Sequence, residues 1–137
     1  MADRMELKRK LLSGLNCSQC VFGAFAERFD YAEEEFCRMA AGFGGGMMRG
    51  DTCGAVTGGL MALGLAFGED PERMHEKVQQ FQKAFSDRFG STVCRELVGF
   101  DYSVPGERRK AIAAGAEENC PEFVAEAAEM IEKLLDE

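Results

Sequence analysis

Apolar residues recur every three or four positions along nearly the whole chain, and sustained alternation of apolar with polar residues is missing, so the pattern predicts helices and no sheet. β-Branched residues are also too scarce and scattered to build one. Leu7, Leu11 and Leu12 mark one side of a short basic helix over residues 2–13, closed near Gly14. Asn16 is placed to cap a helix from Cys17 to about Phe29, in which Val21, Phe25 and Phe29 repeat every four residues. Asp30 then caps a third helix. Its first turns hold Glu33, Glu34 and Glu35, which favour the positive dipole end, while Phe36, Met39 and Ala40 turn inward.

The run Gly42-Phe-Gly-Gly-Gly46 stops that helix, because adjacent glycines carry a large backbone-entropy cost in any regular element. The 16 residues from Cys53 to Gly68 carry no charge and are rich in glycine and alanine; they fall short of the roughly 20 that span a bilayer, so they predict a buried central helix. Gly58, Gly59 and Gly64 cost helix propensity there, and close packing must offset it. Asp70-Pro71 opens the next helix, which runs through Met74, Val78, Phe81, Phe85 and Phe89 to Gly90. Ser91 caps a short helix around Cys94–Val98. Residues 99–106 are irregular, 107–116 are helical with an exposed face, and the last helix follows Asn119-Cys120-Pro121. Phe123, Ala127, Met130, Ile131, Leu134 and Leu135 line one side of it and acidic residues the other. The expectation is an all-α protein, a single compact bundle of about six to eight helices around a glycine/alanine-rich central helix, with one domain over residues 1–137.

Charge narrows the function. Twenty-four acidic residues against 16 basic ones leave a net charge of -8, which repels phosphate backbones and anionic membrane surfaces, so neither nucleic-acid binding nor membrane insertion is expected. The first ten residues contain no apolar signal region and no twin arginine, which points to a cytoplasmic protein. Six cysteines accompany a single histidine, so imidazole-rich zinc sites are excluded and any soft-metal site is mainly thiolate. In a reducing compartment such a set reads as metal-binding or redox-active before it reads as a static disulfide framework.

Cys17, Cys53, Cys94 and Cys120 fall at predicted helix starts. Unpaired N–H groups and the positive dipole end there favour thiolate, which is both the nucleophile of disulfide exchange and the metal ligand. Cys17-Ser-Gln-Cys20 adds a CxxC pair, although the strand that precedes this motif in thioredoxin-like proteins is missing. Zinc ribbons need a second close pair, and the remaining cysteines supply none. Cys37 lies mid-helix and reads as core.

Asn16-Cys17-Ser-Gln19, Gly42-Phe-Gly-Gly-Gly46, Cys53-Gly-Ala-Val-Thr-Gly58, Cys94 and Cys120 together resemble the C_GCAxxG_C_C family of redox-active proteins, from Asn16 to the last helix. The resemblance implies a prokaryotic redox protein, sometimes encoded near oxidoreductases or transporters, that carries a prosthetic group such as an iron–sulfur cluster. It carries Cys17, Cys53, Cys94 and Cys120 over as the family cysteines, with Gly54, Ala55 and Gly58 in the central motif. Cys20 and Cys37 depart from that pattern.

Several other features compete for a role. Residues 45–52 have the glycine spacing of a phosphate loop, but Asp51 occupies the lysine position and no strand precedes it. Gly44, Gly45 and Gly46, with Gly54 and Gly58, remain candidates to present backbone N–H groups to a cofactor near Cys53, with Arg49 adding charge. Met39, Met47, Met48 and Met61 surround this segment; they read as core filler ahead of copper or haem ligands. His75 reads as surface, Tyr31 and Tyr102 carry no catalytic signature, and Arg108-Arg109-Lys110 balances nearby acids. Two uses of the cysteines stand open. In one, Cys17 attacks and Cys20 or Cys53 resolves in thiol–disulfide exchange. In the other, Cys17, Cys53, Cys94 and Cys120 hold an iron–sulfur cluster or another thiolate-bound metal. The alternative is a non-catalytic helical module with zinc-bound or packed cysteines, an accessory to an oxidoreductase or transporter; a third reading is an auxiliary protein that docks on an oxidoreductase or other redox protein through the apolar face of its last helix. The sequence leaves the oligomeric state open.

Overall fold

The uncharged stretch after Cys53 folds as a helix over Gly54–Phe67, and Ala55, Val56, Ala62 and Leu63 on it are fully buried. The computed structural model describes residues 3–137, so the expected start of the first helix at Ala2 lies outside the described residues. In chain order the helices are α1 (Arg4–Leu12), α2 (Cys17–Gly23), α3 (Glu33–Ala40), α4 (Gly54–Phe67), α5 (Pro71–Phe89), α6 (Cys94–Val98), α7 (Glu107–Ala113) and α8 (Cys120–Asp136). The all-α expectation is met, with α4 at the centre and α2, α5 and α8 packed around it.

The small residues of α4 explain that position. A Cβ at Gly58 would lie 2.7 Å from the carbonyl oxygen of Ser18 on α2, and one at Gly59 would lie 2.6 Å from the Phe81 ring of α5 and 3.0 Å from Ile131 of α8. Gly58 and Gly59 thus let three helices approach α4 closely, and burial of the surrounding apolar surface offsets their propensity cost. The rest of the core is aromatic: Phe22 stacks on Phe36 at 4.0 Å between ring centres, and Phe89 meets Phe123 edge-on at 4.8 Å.

Element ends follow the local chemistry. The Asn16 side chain accepts from Gln19 N while the Gln19 side chain accepts from Asn16 N, a reciprocal capping box that starts α2 at Cys17. Asp70 caps Arg73 N with Pro71 following, as expected. Other ends differ. α2 stops at Gly23, and tighter turns place Phe25 N on Phe22 O and Ala26 N on Gly23 O before a 3₁₀ segment at Glu27–Phe29. Phe25 is still buried, so its spacing reported the core and not an unbroken helix. Asp30 does not cap α3: it sits at φ 61 closing that segment, and Ala32 precedes α3 without a side-chain bond. Ser91 accepts from Val93 N and so caps the turn ahead of α6, whose own cap position is Val93. α7 ends at Ala113, three residues early.

Three burial expectations fail as well. Leu12 is 78% exposed because Leu7 takes the inward position on α1, and Met39 is 49% exposed because Phe36 and Ala40 fill the inward face of α3. Met47 and Met48 are not core filler; both are exposed, in a left-handed turn at φ 58 and φ 60 that continues from Gly45 and Gly46. Met61 packs against the core as expected. On α8, Phe123, Ala127, Ile131 and Leu134 are buried inside the molecule. That apolar face is therefore spent on folding and is not the docking surface expected from the sequence. Its acidic face is also engaged: Arg4 of α1 reaches Glu122, Glu126 and Glu129, and Arg88 of α5 reaches Glu122 and Glu126.

Candidate functional site: a four-cysteine cavity

Four helix starts carry a cysteine. Cys17, Cys94 and Cys120 are the first residues of α2, α6 and α8, and Cys53 is the residue before α4. Sequence separations of up to about a hundred residues collapse here, because all four line one cavity of about 360 Å3. Its wall includes the apolar side chains of Leu11, Leu15, Leu97, Val98 and Phe123.

Backbone contacts explain how two of the cysteines are held together. The segments before α4 and α6 meet in an isolated antiparallel bridge between Thr52 and Val93. Cys53 N donates to Thr92 O at 2.8 Å and Cys94 N donates to Asp51 O at 2.6 Å. Cys17 is brought to the same place by Gly54: a Cβ there would lie 2.3 Å from Cys17 Sγ, so only glycine leaves room for that sulfur beside Cys53. Gly54 and Gly58 thus serve packing between α2 and α4. Of the loop glycines, Gly45 reaches the cavity, whereas Gly44 yields space to the Asn16 side chain and Gly46 to the backbone of Asp51.

Burial dominates the electrostatics of the thiols. It pushes Cys94 and Cys120 up to about 12 and Cys53 further up, each raised again by the charge of Cys17. The helix-start position was expected to lower these values. Removal from water is the largest influence on all three; at Cys53 a backbone N–H from Ala55 opposes it, and the acidic Glu117 opposes ionisation of Cys94 and Cys120 while Arg108 favours it.

No motif or periodicity marks the polar wall of the cavity. Tyr102, Arg108 and Glu117 all line the cavity. Tyr102 is nearly buried and donates to the Glu117 carboxylate, and Arg108 Nε stands 3.5 Å from the same carboxylate. Burial and this acceptor hold the Tyr102 phenol well above its usual range. Arg108 does balance an acid as expected, but that acid is part of the site. Arg49 does not reach the cavity; it is exposed beside Asp51.

Cys20 and Cys37 lie elsewhere. Cys20 is buried with its sulfur 3.9 Å from Leu7 O, so the CxxC pair is split between the cavity and α1. Cys37, expected in the core, is only partly buried. All six thiols are free, and among the described residues no three cysteine, histidine or carboxylate groups are gathered as a site for a metal ion. His75 is exposed on α5, as expected. Among the described residues no helix is long and apolar enough to cross a membrane.

An all-helical chain that gathers four helix-start cysteines around one cavity has the framework of a small thiol-centred protein. The chain belongs to the family described as "Putative redox-active protein (C_GCAxxG_C_C)", whose model matches residues 15–134. The family name writes its central motif as GCAxxG, where this chain has Cys-Gly-Ala-Val-Thr-Gly at 53–58. No curated protein and no solved structure matches it.

Proposed function

We propose that the protein is an electron carrier whose Cys17, Cys53, Cys94 and Cys120 hold an iron–sulfur cluster and which serves an oxidoreductase or another redox protein. The observation that carries this reading is that four thiols from four separate helix starts line a single cavity with an apolar wall. A single tetrahedral ion needs its sulfurs within about 2.3 Å of one point. A cluster, in contrast, spreads its thiolate ligands around its own body, which suits donors set around a cavity of about 360 Å3.

When bound, such a cluster supplies one-electron transfer at a potential set by burial and by hydrogen bonds to sulfur. The protein's own contribution is to place the thiols and exclude water. Cys53, Cys94 and Cys120 keep their protons in the metal-free protein because burial disfavours their thiolates, so loading releases protons. At the start of α4 the backbone N–H of Ala55 bonds to Cys53 and favours its thiolate, whereas at the start of α8 the N–H groups of Cys120, Glu122 and Phe123 are taken by backbone carbonyls and Pro121 has none. Arg108, held by Glu117, supplies a positive charge at the wall.

Anaerobic incubation with ferrous iron and sulfide should give a brown protein with bound iron and acid-labile sulfide. Cys94→Ser should lose most of that uptake while keeping helical circular dichroism. Protein that stays colourless and iron-free under these conditions would defeat the proposal.

A second reading rests on the approach of Cys17 to Gly54, next to Cys53. There Cys17 attacks a disulfide of a partner and Cys53 resolves it, so the pair gives up two electrons and two protons as its own disulfide forms. Mass-spectrometric detection of a Cys17–Cys53 link after oxidation would support this use.

A further inference from the structure

Cys20 and Cys37 do not line the four-cysteine cavity. They come from α2 and α3, which approach closely because Gly23 has no side chain: a Cβ there would stand 3.2 Å from Cys37 Sγ. That sulfur lies 3.9 Å from Gln19 O, within the peptide group that joins Gln19 to Cys20. Cys20 Sγ faces Leu7 O of α1, while Cys17, its partner in the CxxC, turns its sulfur to Gly54 on α4. Lys10 of α1 and Glu33 of α3 form an ion pair at 2.6 Å. Lys10 favours ionisation of each sulfur and Glu33 opposes it, so one ion pair acts on both. Cys20 is 1% exposed, whereas Cys37 has an opening to solvent.

We infer that Cys20 and Cys37 form a second thiol pair, independent of the cavity, that closes as a disulfide between α2 and α3 when a small-molecule disulfide is the oxidant. The more accessible Cys37 thiolate attacks one sulfur of the small disulfide, whose S–S bond breaks as the first small thiolate leaves and takes up a proton. Cys20 loses its proton and attacks Cys37 Sγ; the mixed disulfide breaks and the second small thiol departs with that proton. Two electrons pass from the cysteine pair to the small disulfide, which leaves as two thiols. The sequence positions alone, 17 residues apart with a turn between, do not announce such a pair. The missing side chain at Gly23 is what lets α3 bring Cys37 against the helix that carries Cys20. Closing it ties α3 to the helix that carries Cys17, so oxidised small thiols in the surroundings would stiffen one wall of the site.

Oxidised glutathione is the probe, applied to the full chain, followed by trapping of free thiols, digestion without reductant and mass spectrometry. A Cys20–Cys37 cross-link is expected in the wild type and equally in Cys17→Ser, which disables the cavity chemistry but leaves this pair intact. Cys37→Ser should lose the cross-link and still take up iron and sulfide, which separates failure here from failure of the cluster reading. A link from Cys20 to Cys17 instead, glutathione retained on Cys37 without resolution, or both thiols still free would each overturn the inference.

Discussion

Gly54 is the residue on which the site depends most directly, since a Cβ there would meet Cys17 Sγ at 2.3 Å and Ser18 N at 3.0 Å. Gly54→Ala must push the sulfur aside or part α2 from α4, at a cost of about 1–3 kcal/mol from overpacking. A lower urea midpoint and faster alkylation of Cys17 are expected; an unchanged midpoint with unchanged Cys17 reactivity would refute the packing role. At this scale the cysteines were legible, because their place beside Asn16, Thr52 or Asn119 is local information. Tyr102 and Glu117 were not. Fifteen positions apart, on an irregular segment and a turn, they meet only through a side-chain hydrogen bond that no periodicity encodes.

At the level of elements, α4 offers a contrast between two of its glycines. Gly58 presses on the backbone of α2, where a Cβ would stand 2.7 Å from Ser18 O, whereas the nearest atom to a Cβ at Gly64 is the mobile end of Met74 at 3.9 Å. Gly58→Ala should therefore destabilise the fold by about 1–3 kcal/mol. Gly64→Ala should stabilise it by up to about 1 kcal/mol through helix propensity. Chemical denaturation of the two variants in parallel checks both signs. Elements bounded by strong punctuation, α4 before Gly68 and α5 between Asp70-Pro71 and Gly90, were readable. The end of α2 was not, because Phe25 and Phe29 keep contact with the core while the backbone between them tightens out of the α-helix. Met47 and Met48 escaped for a related reason: a left-handed backbone that L-residues disfavour is not written in hydrophobicity.

For the whole molecule, the raised thiols couple folding to alkaline pH. Cys20, Cys94 and Cys120 move from an ordinary value of 9.0 to about 12 on folding of the metal-free chain. Between those values the folded protein holds protons that the unfolded chain has lost, so stability is full below pH 9 and falls as pH rises toward 12. Denaturation midpoints of the metal-free protein should decline across this window, and more shallowly in Cys94→Ser; a flat profile would contradict the burial of these thiols. The helical class, the buried central helix and the helix-start position of four cysteines were determined by the sequence itself, because charge-free composition, caps and apolar period act over neighbouring residues. Only the tertiary structure decided that these cysteines share one cavity and that Tyr102, Arg108 and Glu117 wall it. It also decided that burial is the main influence on the thiols Cys53, Cys94 and Cys120 and raises all three. Convergence of distant segments and loss of water are properties of the packed chain, and local spacing carries neither.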